Sequence, residues 1–374
     1  MRLLAIEPGE RLWGSENAFL ATVPELVKAN ERLVVLVPPH AESIKQLSGM
    51  GAKVETASIA NLHRRGLLAK ISAVSAIAQI CLRNRIEKIY LNQAGLCRIA
   101  HSVARVLRLP LVIHVRLLED VPRCAALSDL IPIDLIFVSQ DIRRHYPDGF
   151  TDKKRLLTAY DPIVCYKTPQ SLQRQSDLSI AVLGRIEPSK GQHRLIEALS
   201  LGPKPPPLLH IYGDAPDLDY GEELRKRADE LGIAERIVWH GYQASAASEL
   251  EKHSIVVVCS DYESFGRVVV EALQAGALPV ASTQSGGPAE IISRSGGGLL
   301  YEGQTPEAIT EALTDAIGLG ITERQIIIEK GRAWVRERLS IPAYKSALSG
   351  ILFSRAQGRE HVAALQPSDL EVSS

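Results

Sequence analysis

The sequence carries no excess of either charge: 43 Lys and Arg stand against 43 Asp and Glu. The molecule as a whole therefore has no basic field to condense on nucleic acid or anionic lipid. Cysteines are few and badly spaced for bonding. Cys81, Cys97, Cys124, Cys165 and Cys259 are odd in number and form no Cys-x-x-Cys pair, which argues against a disulfide framework or a zinc knuckle and fits a reducing compartment. No apolar run is long enough to span a bilayer. The longest, LLAKISAVSAIAQICL at 67–82, is broken by Lys70, Ser72, Ser75 and Gln79 and falls short of the ~20 apolar residues required, so it reads as a core helix. The opening MRLLAIEPGERLWG lacks the apolar centre of a signal peptide and reads as a buried first strand, which predicts a cytoplasmic protein. Gly-x-Gly-x-x-Gly, Walker A, Gly-x-Ser-x-Gly and His-Glu-x-x-His motifs are missing, as are fixed-period repeats and any His, Cys and carboxylate triplet with ligand spacing. No metal site is expected.

What is present is ordinary globular material, 45% hydrophobic and 23% charged over 374 residues, enough for two domains at about 150 residues each. Short apolar runs alternate with helical periodicity throughout, the pattern of parallel α/β sheets. Strands are predicted at 3–6, 33–37, 53–56, 88–91, 111–114, 135–139 and 156–159, with helices clearest over 65–82 and 96–107. The segment DPIVCYKTPQSLQRQSD at 161–177 has two prolines and no periodicity and reads as a linker. A second set of strands follows at 178–183, 208–212, 237–240, 255–259, 278–282 and 298–301. Its helices are expected to start near Ser189, Asp219, Ser245, Ser264, Pro288 and Thr305. The expected organisation is a Rossmann-like domain over 1–165, a second over 166–340, and a terminal segment over 341–374 with one helix near Pro342–Arg355 and a polar tail.

Ligands of open parallel sheets bind beyond the carboxyl ends of strands, and unusual residues gather there. In SDYESFGRVVVEALQAGALPVAS, a helix starting at Ser264 would put Glu263 at its mouth and Glu271 two turns in, with the backbone N–H groups of Phe265 and Gly266 between them. An N-cap acid and a solvated helical glutamate are the plain alternatives. In AVLGRIEPSKGQHRLIEAL, Gly184 ends a strand, and Arg185 and Lys190 flank the turn before a helix, an arrangement suited to a diphosphate, although loop cations are more often simply solvated. Gly213 ends the next strand in HIYGD and reads equally as a turn glycine. Gly9 and Gly14 lie in the first strand-to-helix loop. His114 closes LPLVIH, where an imidazole can bond a substrate hydroxyl or be satisfied within the fold. Arg64, Arg65, Arg83, Arg85 and Lys88 form a candidate basic patch for a membrane surface, or a solvated face.

Over about residues 178–301 the sequence resembles glycosyltransferase family 4: ESFGRVVVE supplies its Glu-x7-Glu element, and GRIEPSKG, HIYGD, WHGY, LPVASTQSGGPAEII and GGLLY keep the family's order. In the first half GSENAFLATVPEL, IYLNQAG and LVIHVR are similar to family segments more faintly. The resemblance implies the GT-B fold, two Rossmann-like doubly wound domains facing across a cleft with C-terminal helices crossing back to the first. It implies a retaining transfer of a sugar from a nucleoside diphosphate, UDP or GDP, to a hydroxyl of a saccharide or lipid-linked saccharide, with no cofactor or metal and no nucleic acid partner. By the same resemblance Arg185 and Lys190 hold the diphosphate, with Gly184 and Gly213 beside them. Glu271 takes ribose hydroxyls, and Glu263 and His114 the transferred sugar. Phe265 and Gly266 offer N–H groups, Gly14 and Ser15 lie by phosphate or acceptor, and Gly241 and Tyr242 lie by the base. Two departures fall on the acceptor side: Leu117 stands where the family often has Glu, and Tyr160, Asp161, Pro162 replace its usual Asn-Gly. The resemblance leaves open a GT-B epimerase or phosphorylase, and a nucleotide-sugar-binding partner subunit without turnover; no general base is assigned.

Overall fold

Strands that are apolar on both faces must be covered on both, which parallel sheets flanked by helices achieve. The computed structural model, which describes residues 1–12, 14–29, 32–62, 65–147, 153–162, 178–243 and 246–353, contains two such sheets. The first comprises β1 (Arg2–Ile6), β2 (Arg32–Val37), β3 (Lys53–Thr56), β4 (Lys88–Leu91), β5 (Leu111–Val115), β6 (Ile133–Phe137) and β7 (Lys154–Thr158), in the order β3-β2-β1-β4-β5-β6-β7. The second comprises β8 (Ser179–Leu183), β9 (Leu208–Tyr212), β10 (Ile237–Gly241), β11 (Ile255–Val258), β12 (Leu278–Ser282) and β13 (Leu299–Tyr301), in the order β10-β9-β8-β11-β12-β13. Every pairing is parallel. In each sheet the chain winds outward one way from the central strand and then returns to wind the other way. The order therefore reverses between β1 and β4 and between β8 and β11, which is where a doubly wound sheet opens a crevice for ligand.

The chain divides into two compact units, the second made of Ser139–Ile142 and Cys165–Arg338, the first of the rest, including the return from Leu339. The first unit's core joins Phe19, Leu20, Val23 and Leu26 of the helix Gly14–Ala29 to Tyr344, Leu348, Ile351 and Leu352 of the helix Ile341–Phe353. That terminal helix is held at both ends: Lys345 Nζ pairs with Glu25 Oε2 at 2.5 Å, and Lys88 Nζ donates to the carbonyls of Leu352 at 2.6 Å and Ile351 at 3.3 Å. Lys88 is buried, so it is no part of a surface basic patch; it donates instead to carbonyls at the end of the described helix.

All thirteen expected strands form, within two residues of their expected bounds. Two helix starts are corrected. The helix expected at Ser189 begins at Gln192, after a short 3-10 turn Pro188–Lys190, and the one expected at Ser264 begins at Arg267, after Gly266 has turned left-handed at φ +90°. Glu263 thus lies outside the helix that holds Glu271, and the two carboxylates are not spaced by eight helical residues. Most of the expected linker, at 163–177, and the start near Ser245 lie outside the described residues. Replacing Lys88 by Met keeps the apolar stem but removes its two hydrogen bonds to the terminal helix; urea denaturation should show a loss of about 1–3 kcal/mol, and an unchanged stability would mean that the terminal helix is not held this way.

Candidate functional site

The second unit's crevice is built by the segments that leave β8 and β11. Leaving β8, Gly184, Arg185 and the turn Pro188–Lys190 cross toward β11; leaving β11, Cys259–Gly266 cross toward them. Lys190 Nζ meets Glu263 Oε1 at 2.5 Å, both side chains half-buried, and Ser260 Oγ donates to the same oxygen at 2.9 Å. Glu263 is fixed from its other side by the segment after β12: its N–H donates to the Ser285 carbonyl at 2.9 Å, and its carbonyl accepts from Gly287 N–H at 2.8 Å. Two residues singled out for a diphosphate and a sugar are thereby brought into contact, at the point where the strand order reverses.

Arg185 is exposed, its guanidinium 3.4 Å from Glu187. Glycines 184, 213 and 241 sit side by side at the carboxyl ends of β8, β9 and β10, joined by Gly184 N–H to the Tyr212 carbonyl and Gly213 N–H to the Gly241 carbonyl, each at 2.9 Å. Gly213 is more than a turn glycine: at φ +146°, any Cβ there would collide with the Gly184 carbonyl. Asp214 Oδ1 accepts Tyr242 N–H at 2.8 Å and fixes the turn after β10, leaving the Tyr242 ring exposed. Glu271, one turn into its helix, is largely buried with Arg267 Nη2 3.5 Å away; burial raises its carboxyl above the ordinary value, and Arg267 opposes the rise. Phe265 is buried beside Gly266 at the same helix start.

The first unit's crevice, between β1 and β4, holds a group the sequence reading missed. Glu7, immediately after β1 and buried, accepts Gly9 N–H and Gln93 Nε2, each at 2.9 Å, and a hydrogen bond from Asn92 Nδ2. Gln93 Nε2 also donates to Glu16 Oε1 at 2.6 Å and lies 3.2 Å from Ser15 Oγ, which itself donates to Glu16 Oε2 at 2.9 Å. Gly14 opens the helix carrying Ser15 and Glu16. Burial, and then the Glu16 carboxylate, push the Glu7 carboxyl up to about 7. The sequence signal for it is a carboxylate directly behind a strand, in a segment, EPGERLWGSE, otherwise marked by its glycines.

His114 is where expected along the chain but not as expected in space. It alternates onto the same face as Val112, the face covered by the core that includes Tyr344, and its ring is fully buried, stacked at 6.4 Å on Tyr344. Arg116 Nη2, always a donor, reaches His114 Nδ1 at 3.3 Å, so the ring proton sits on Nε2, which has no hydrogen-bond partner among the described residues. Burial, with Arg116 beside it, holds the imidazole well below its ordinary pKa and hence neutral. An imidazole open to a sugar is therefore corrected to an enclosed one. Arg116 is itself committed to Asp161, to the Asn92 carbonyl at 2.9 Å and to Asn92 Oδ1 at 2.8 Å, which gives the departing Asp161 a structural role.

Among the described residues no group of three or more His, Cys, Asp and Glu is arranged to hold a metal ion. A solvent-open cavity of about 550 Å³ lies along the helices Gln192–Leu201 and Leu218–Glu230. Its wall mixes Glu197, Glu223 and Glu230 with Lys226 and Arg227, and touches the turn after β8 only at Pro188.

Residues 167–334 match the family model described as glycosyl transferases group 1. Among curated proteins, the Vi polysaccharide biosynthesis protein VipC/TviE of Salmonella typhi is 29% identical over 216 residues, 53% of this chain and 37% of that protein. The lipopolysaccharide core biosynthesis glycosyltransferase LpsE of Rhizobium meliloti is 28% identical over 173 residues, 46% of this chain and 49% of that one. The chain thus spans half or less of the length of these relatives. Among solved structures, Anabaena Alr3699/HepE in complex with UDP superposes with a TM-score of 0.80 at 21% identity, covering 95% of this chain and all of that one. The lipopolysaccharide outer core galactosyltransferase WaaB follows at 0.75 and 17%, covering 94% and 99%. These likenesses establish the two-sheet GT-B fold.

The Glu7 carboxyl, ordinarily near 4.5 and here about 7, favours the folded state when protonated; its contribution is complete below about pH 4.5 and is lost as pH rises through about 7. Glu7→Gln, neutral at every pH, should therefore melt higher than wild type at about pH 8, by up to about 3 kcal/mol, with the advantage shrinking toward about pH 5. Melting curves with the same difference at both pH values would contradict the raised pKa.

Proposed function

Because residues 167–334 match the model of the glycosyl transferases group 1, we propose that the protein moves a sugar, with retention, from a nucleoside diphosphate sugar to a hydroxyl of a saccharide or lipid-linked saccharide, in polysaccharide or glycolipid assembly. The observation that carries this reading is the Lys190–Glu263 pair at the strand-order reversal of the second unit. As the bond from the sugar's anomeric carbon to the diphosphate breaks, negative charge collects on the leaving phosphate. Lys190, with Arg185, supplies cations there, the kind of electrostatic stabilisation that is usually the largest catalytic term. The same two cations remove the need for a metal. Glu263, an acceptor of hydrogen bonds, suits the hydroxyls of the transferred sugar, and Glu271 those of the ribose. The backbone around Phe265 and Gly266 suits oxygens between them, and that of Gly241 and Tyr242 the base. Gly184 and Gly213 let the diphosphate approach the backbone. UDP or GDP is the expected nucleotide. In the first unit, Ser15 with Glu7, Glu16 and Gln93 offers acceptors and donors suited to acceptor hydroxyls. The curated relatives named for polysaccharide and lipopolysaccharide assembly support the substrate class.

Because Lys190 already pairs with Glu263, an incoming diphosphate competes with Glu263 for the ammonium. Calorimetry with UDP, GDP, TDP and ADP, in a chelator, should find micromolar binding of one nucleotide. Glu263→Gln should bind it at least as tightly while losing transfer, and Glu271→Ala should bind it more weakly. Binding lost in Glu263→Gln would refute the competition, and wild-type protein that binds a donor but never transfers or hydrolyses it would instead be a non-catalytic partner.

A workplace on the cytoplasmic membrane surface is supported by the first unit's charge. From Thr56 to Leu118 a single acid, Glu87, stands against ten Lys and Arg in a chain that is neutral overall. Arg65, Arg83, Arg85, Arg98, Arg105 and Arg108 are exposed, and beside Arg65 the helix Leu67–Arg83 presents Leu67, Leu68 and Ile71 at 72%, 84% and 53% exposure; Arg64 lies outside the described residues. Arg65 beside an exposed apolar helix turn, in a unit that exposes further arginines, suits an anionic lipid surface rather than nucleic acid, which has no use for the leucines. No helix among the described residues is long and apolar enough to cross a membrane. The protein should float with vesicles containing about a third anionic lipid at low salt. Leu67→Ser/Leu68→Ser should abolish that flotation, and equal recovery with neutral vesicles would count against the proposal.

A further inference from the structure

A lysine on a loop has four rotatable carbons and no register of its own, yet Lys190 meets Glu263 closely. The reason lies in how two loops are stitched together. Arg194, in the first turn of the helix Gln192–Leu201, points back across its own N-terminus, and its Nη2 donates to the Cys259 carbonyl and to Asp261 Oδ1, each at 2.7 Å. Asp261 N–H in turn donates to the Ser189 carbonyl at 2.8 Å, and Cys259 Sγ donates to the Lys190 carbonyl at 3.2 Å. The backbone on either side of the Lys190 side chain is therefore tied to the segment that carries Glu263.

Gly191 sits at the crossing. At φ +69° it turns the chain into the helix, and a Cβ there would collide with the Cys259 carbonyl and lie 2.5 Å from Arg194 Nη2. Burial pushes the Cys259 thiol up to about 12, so it remains a thiol that can donate. A cation in a first helical turn opposes the helix dipole, so Arg194 is poorly placed to stabilise its own helix. Its side chain is mostly buried and its Nη2 is committed to Cys259 and Asp261.

We propose that Arg194 is a positioning residue: acting through Cys259 and Asp261, it holds the Lys190 loop against the Glu263 segment so that the ammonium is aimed at the donor diphosphate. This rests on the donor site proposed above. Glu263 and the diphosphate then exchange places at an ammonium whose backbone does not move.

The test uses the full chain and UDP, UMP, GDP and GMP as calorimetric probes, with thermal melts as a check on folding. Arg194→Ala should weaken diphosphate binding about tenfold, as expected for losing charge-assisted hydrogen bonds. It should reproduce the ratio of mono- to diphosphate affinity seen in Lys190→Ala. In a Lys190→Ala background it should cost nothing further, because the two act as one unit. Arg194→Lys, able to keep one of the two bonds, should fall between. Unchanged diphosphate affinity, an equal loss for every probe, or a full additional loss in the Lys190→Ala background would each overturn the proposal while leaving wild-type binding, and so the donor site, intact. Wild type that binds none of the probes would defeat the donor site itself and this inference with it.

Discussion

The contact on which the proposed donor site depends is the ion pair between Lys190 and Glu263. It exists because a parallel sheet wound outward in both directions must part its loops at one place, between β8 and β11, and because those two loops are then tied back together by backbone hydrogen bonds, Arg194 and Gly191. Sheet order decides where the crevice lies. The ties decide which two side chains share it. Remove the ties, and a lysine and a glutamate on separate loops become an ordinary solvent-exposed pair, worth little.

The first unit applies the same topology to different chemistry. Its reversal point, between β1 and β4, gathers Glu7, Glu16, Gln93 and Ser15 in place of cations, and the low dielectric that raises the Glu7 carboxyl to about 7 also makes each of its hydrogen bonds count for more. The terminal helix completes that unit's core, with Tyr344 over His114 and Lys88 on its last carbonyls. A chain end that returns to the first unit makes that unit's folding depend on residues more than 250 positions away in sequence, which slows assembly relative to a unit made of local contacts.

Much of the fold was legible because unbroken apolar runs such as LVVLV and IVVV suit only strands buried on both faces. Helix starts were less legible. Gly191 and Gly266 both take left-handed conformations, which postpones each helix by about three residues; nothing in sequence separates a glycine that turns the chain from one that is merely tolerated. Lys190 and Glu263 were legible as residues behind strands, but their contact was not, because it depends on two loops meeting. Arg194 and Asp261 carried no signal in the sequence, and Cys259 only that of a cysteine without a near partner, because their contacts too depend on two loops meeting. His114 misled for a related reason: the end of a strand was inferred correctly, while which face its ring took depended on the helix Ile341–Phe353, far along the chain. Glu7 was passed over because a carboxylate in a glycine-containing loop is usually solvated, and here Asn92, Gln93 and Glu16 enclose it.

A nucleoside diphosphate is proposed to bind at the reversal between β8 and β11. The most direct measurement is a crystal structure of the protein soaked with UDP, or with GDP if that is the tighter binder, in the presence of a chelator. Phosphate oxygens are expected within hydrogen-bond distance of Lys190 Nζ, with Glu263 released from the ammonium and the ribose beside Glu271. Nucleotide lodged elsewhere, or phosphates that leave the Lys190–Glu263 pair untouched, would contradict it.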